Sequence, residues 1–97
     1  MNNFKFLAKN INISEVDILI SYFNHDNKRL HYKLEMFDKN KNILSATTEV
    51  LALYVDLNIR KVAEFEIEKI KIMDEFILNN KEKFNKEGLK FLSKIKK

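Results

Sequence analysis

The sequence predicts an α+β fold: an antiparallel β-meander of about four strands followed by C-terminal helix. Three observations predict it. Residues 15–56 are rich in β-branched and aromatic side chains and alternate apolar with polar. Short polar clusters without proline divide that stretch into runs of strand length. Beyond residue 66 the apolar spacing changes from two residues to the three and four of a helix.

The elements follow in order. A short strand is expected over Phe4 to Ile11, ahead of the connection Asn12-Ile13-Ser14. Ile18-Leu19-Ile20-Ser21-Tyr22-Phe23 reads as the next strand, and His25-Asp26-Asn27-Lys28 as a turn. Leu30, Tyr32, Leu34 and Met36 then alternate with His31, Lys33 and Glu35, the pattern of a half-buried strand. Asp38-Lys39-Asn40-Lys41-Asn42 is a second polar turn, and Ile43 to Val55 a long strand. Tight turns join antiparallel neighbours. The expected core includes Ile18, Ile20, Leu34, Met36, Val50 and Leu53.

Ile67, Ile70, Met73 and Ile77, widened by Ile72 and Phe76, mark a helix over 66–79 that ends at Asn79-Asn80. Phe84, Phe91, Leu92 and Ile95 suggest a second, basic amphipathic helix or tail. The expected organisation is a domain over 1–80 and this basic segment over 81–97. The charge supports that division: residues 81–97 carry seven lysines and two glutamates, while the whole chain is only +4.

A chain of 97 residues suits one small domain that buries a modest share of its surface and gains from a partner. Zero cysteine excludes a disulfide framework and a thiolate metal site. No apolar run is long enough for a signal peptide or membrane span, so a cytoplasmic protein is expected. With no proline and a single glycine, Gly88, turns must be built from Asn, Asp and Lys, and no phosphate-cradling glycine loop is available.

Several stretches taken together resemble a known family. They are Leu30-His31-Tyr32-Lys33-Leu34-Glu35-Met36-Phe37, Leu44-Ser45-Ala46-Thr47-Thr48-Glu49-Val50-Leu51, Tyr54-Val55-Asp56-Leu57-Asn58 and Arg60-Lys61-Val62-Ala63-Glu64-Phe65. In order and spacing they are similar to the last three strands of hotdog-fold acyl-CoA thioesterases of the 4-hydroxybenzoyl-CoA thioesterase-like group. The resemblance covers roughly residues 4–66 and implies hydrolysis of an acyl-CoA thioester in a homo-oligomer with sites between subunits. It also implies that the family's first strand and central helix, where the catalytic Asp or Glu resides, have no counterpart in this chain. No catalytic residue is therefore carried over. The expected fold is that of a truncated hotdog.

The residues themselves supply candidates. Thioester hydrolysis needs a carboxylate to attack or to activate water, and Glu49, among Ser45, Thr47 and Leu51, is the best isolated one. Half-burial in a strand would raise its pKa; the alternative is a structural carboxylate bonded to a cross-strand partner or lying at an exposed edge. His31, opposite the apolar stripe, is expected to be solvated, and His25 to lie in a turn with Asp26. The two histidines lack metal-ligand spacing, so no metal is expected, and no cofactor. Asp56 is expected to cap a turn, and Arg60 with Lys61 either to hold CoA phosphates or to be ordinary charged turn residues.

Three functional classes follow: an acyl-CoA thioesterase-like protein, a non-catalytic hotdog remnant acting as a binding or interaction module, and a basic nucleic-acid or membrane-surface module driven by the tail. The last requires binding through the lysine-rich segment alone. Packing of that segment on its own domain is the simpler expectation, so no specific nucleic acid is assigned as partner.

Overall fold

The architecture comes from a computed structural model, which describes residues 3–7, 15–39 and 43–97. Strands β1 (Asn3–Leu7), β2 (Glu15–His25), β3 (Arg29–Asp38) and β4 (Ile43–Leu53) form a sheet in the order β1-β2-β3-β4, every pair antiparallel. A hairpin of β5 (Val55–Asp56) and β6 (Lys61–Val62) follows, then helix α1 (Ile67–Asn80). The α+β meander followed by helix is the fold class expected from the apolar periodicities.

Several boundaries differ from the expectation. The first strand ends at Leu7, and the rest of the expected Phe4 to Ile11 strand lies outside the described residues. His25 is the last residue of β2 rather than a turn residue. The long strand stops at Leu53, because the backbone leaves the sheet at Tyr54, whose amide bonds the carbonyl of Lys28 at 2.7 Å. Val55 therefore joins a separate hairpin.

Beyond α1 no second helix forms over 84–95. The segment runs irregularly, with 3-10 turns at Lys81–Lys83 and Leu92–Lys94. Gly88 takes φ 77°, in the left-handed region that interrupts a helix at its middle.

Partners across antiparallel strands share a face, and neighbours along a strand alternate. Ile18 pairs with Met36 and Ile20 with Leu34, and Met36 and Leu34 pair in turn with Ala46 and Thr48. With Phe23, Tyr32 and Val50 these residues form an apolar face. A register shift between Ile20 and Tyr22 brings Tyr22 opposite Lys33, which pairs with Glu49; this set lies on the other, polar face with His31. Leu53, expected in the core, is 53% exposed, because its partner is Arg29 near the open end of the sheet.

Helix α1 covers only one end of the apolar face. Phe76 packs edge-on against Phe23 at 5.5 Å between centroids, and Asp74 reaches His25. Ile70, Met73, Phe76 and Ile77 are half-buried, whereas Ile67 and Ile72 of the expected stripe stand exposed. Phe65 is buried between the stacked ring of Tyr54, at 4.7 Å, and the edge of His25.

The chain then crosses the edge of β2, where Phe84 sits against both Phe76 and Tyr22 and the Asn85 amide bonds the Ser21 carbonyl at 2.8 Å. Residues 85–96 run back over the polar face. Burial is consequently deepest there: His31, Tyr22, Ser21, Asp26 and Lys33 are all buried, while Ile18, Ile20, Leu34, Met36 and Val50 are only half-buried.

Candidate functional site

The polar face gathers the titratable side chains. His31 is fully buried on β3, edge-on to Tyr22 at 5.3 Å, and its Nε2 lies 2.6 Å from Glu49 Oε2 on β4. Its Nδ1 is buried without a hydrogen-bond partner. In this geometry an Nε2–H donates to the carboxylate. The expectation of a solvated His31 fails because the C-terminal segment, not water, covers its face of the strand.

Glu49 is surrounded by donors. Besides His31 it accepts the Lys90 amide at 2.8 Å and the Phe91 amide at 2.9 Å. Burial pushes its carboxyl up, but the Lys90 amide, the His31 ring and the Phe91 amide together outweigh that and hold it below its ordinary value of 4.5. This corrects the expectation of a raised pKa. The geometry suits a carboxylate that binds N–H groups better than one that takes protons, and it matches the structural alternative of a glutamate bonded across strands.

Two further groups complete the cluster. The Lys33 ammonium donates to the Glu87 carbonyl at 2.9 Å and lies 3.7 Å from Glu35. Asp26, at the β2–β3 turn, accepts the amides of Lys28 and Arg29, the Arg29 guanidinium and the Lys96 amide. Burial pushes Asp26 up, and these donors, the Lys96 amide foremost, bring it well below the usual carboxylate range. Thr47, Thr48, Glu49 and Lys33 close a small cavity of about 90 Å³ with Glu87, Gly88 and Leu89 of the overlying segment.

The other sequence candidates lie elsewhere. Arg60 and Lys61 belong to the exposed β5–β6 hairpin, in a different sheet from Glu49. Asp56 bonds the Asn58 amide at 2.9 Å, the turn-capping role expected of it. His25 is buried, with Nδ1 2.8 Å from the Asp26 carbonyl and Nε2 2.6 Å from Asp74. Both ring nitrogens thus face oxygen atoms.

Beside the β2–β3 turn, Glu66 binds the Tyr54 hydroxyl at 2.8 Å and the Lys69 ammonium at 2.8 Å. The Lys69 and Tyr54 bonds hold Glu66 at about 2. This triad is exposed and ties the start of α1 to the strand exit.

Asp26, Lys33 and the burial of His31 were not legible in strand patterning. A signal for the overlying segment was present in Gly88, which makes a continuous helix through 84–95 costly. Among the described residues no group of three or more potential ligands is placed to hold a metal ion, and no helix is long and apolar enough to cross a membrane. In comparisons with protein-family models, curated proteins and solved structures, nothing matches this chain.

Proposed function

We propose that the chain is a hotdog-type, acyl-CoA thioesterase-like module that works by self-association rather than by hydrolysis with its own residues. The observation that carries this reading is the uncovered apolar face. The chain exposes 7503 Å², whereas a compact monomer of its mass exposes about 5,800 Å². Its radius of gyration is 15.7 Å, against about 12.5 Å for a compact chain of this length. The excess of roughly 1,700 Å² is spread over the whole chain, and the half-buried apolar face is one contributor to it. The direct cross-strand partners of Ile18, Ile20, Leu34, Met36 and Val50 are all uncharged, so a second copy of the same face is a suitable cover.

Sedimentation across a concentration series tests this. The full chain is expected to dimerise, and Ile20→Asp with Leu34→Asp to remain monomeric with unchanged circular dichroism. A wild-type monomer at every concentration would refute the proposal.

A second reading, acyl-CoA hydrolysis, draws on the Glu49–His31 pair. The donors already filling Glu49 count against it, as does its lowered pKa. Assay against short and aromatic acyl-CoAs decides between them. Turnover by the parent that disappears in folded Glu49→Gln would replace the first reading with the second.

A further inference from the structure

The polar face grips residues 85–96 through their main chain. Ser21 O takes the Asn85 amide, Glu49 the Lys90 and Phe91 amides, and Asp26 the Lys96 amide, while Lys33 donates to the Glu87 carbonyl. Hydrogen bonds of this kind read a backbone whatever side chains it carries. The side chains of Lys90, Phe91 and Lys96 remain exposed. Only Phe84, Leu89 and Ile95 are half-buried, and the link to α1 is the 3-10 turn at Lys81–Lys83.

The groove must nevertheless be filled. Lys33, Ser21 and Asp26 are buried polar groups whose partners come in part from the segment, and leaving such groups bare is costly.

From these facts we infer that the polar face is a main-chain-binding groove with an exchangeable occupant, and that the C-terminal segment of a second copy takes the place of the chain's own. Reciprocal exchange restores between two copies every hydrogen bond that each copy breaks within itself. The balance is then set by concentration and by the connector at Lys81–Lys83, the usual condition for domain swapping. The apolar face lies on the opposite side of the sheet, so this exchange stands independently of association through that face.

The chain contains no cysteine, which gives a clean test. Thr47 on the groove and Leu89 on the segment line the same small cavity. One copy carries Thr47→Cys, another Leu89→Cys, and the two are mixed under mild oxidation and read by mass. Exchange predicts the mixed disulfide well above the roughly twofold excess over either like pair that random collision gives. A synthetic peptide of residues 84–97 in large excess suppresses it without altering either chain. A mixed product at the random ratio, or one indifferent to the peptide, overturns the inference.

Discussion

His31 and Glu49 meet at 2.6 Å between neighbouring strands, and the carboxylate that fixes the ring also holds the amides of Lys90 and Phe91. One residue thus joins the buried interior of the sheet to the segment that covers it. Glu49→Ala removes acceptors from a buried imidazole N–H and two main-chain N–H groups together. A loss of about 2–4 kcal/mol in unfolding free energy is expected. Hydrogen exchange should show the Lys90 and Phe91 amides losing protection while those of β2 and β3 keep theirs. Unchanged protection at Lys90 and Phe91 would mean that the carboxylate does not hold the segment.

Acid should act through the same hydrogen bonds. Glu49 and Asp26 both have folded pKa values below their ordinary values of 4.5 and 3.8. A depressed carboxyl contributes stability that is present above its unfolded pKa and is lost as pH falls toward its folded pKa. Stability is therefore expected to hold down to about pH 4.5 and to decline progressively below it, first through Glu49 and then through Asp26. Chemical denaturation at a series of pH values measures this. In Glu49→Gln the decline should be shallower, because only Asp26 and the exposed Glu66 remain to be protonated.

A third expectation concerns the other buried histidine. Asp74 is a mostly exposed residue of α1, yet its carboxylate is the acceptor for His25 Nε2. Asp74→Ala leaves that buried nitrogen without its partner and should cost about 1–3 kcal/mol. Glu75→Ala, one position along on the exposed surface, should stay within about 0.5 kcal/mol. Equal effects at the two positions would show that the bond to His25 contributes little.

The alternation of Leu30, Tyr32, Leu34 and Met36 with His31, Lys33 and Glu35 was enough to place β3 and to sort its two faces, because period two is a local property. The change of period after residue 66 placed α1 within a residue at either end. What strand patterning misjudged was which face is covered. Polar residues on a strand normally face water, but here main-chain groups of a distant segment cover them, with Lys90 lying 41 and Phe91 42 positions from Glu49. The burial of His31 and the depressed Glu49 both follow from that non-local packing. No periodicity within β3 or β4 encodes it. Glu49 itself was legible as the notable carboxylate, and the structure gives it a holding role; Arg60 and Lys61 were legible only as charged residues after a strand.

Arg60 supplies the final prediction. It has φ 54° in the turn between β5 and β6, in the left-handed region where a side chain crowds its own backbone. Its side chain is exposed, and the turn itself is organised by Asp56, which bonds the Asn58 amide. The conformation is thus imposed by the hairpin, and glycine adopts it without the steric cost. Relief of that cost is worth ~1 kcal/mol, set partly against the extra freedom glycine gives the unfolded chain. Arg60→Gly should therefore leave the protein as stable or stabilise it by up to about 1 kcal/mol, a rise of no more than roughly 4–8 °C in Tm. Arg60→Ala keeps the Cβ and gains none of this, so the pair separates backbone strain from loss of charge. A marked destabilisation by Arg60→Gly, with Arg60→Ala neutral, would show that the left-handed turn is not the conformation the hairpin adopts.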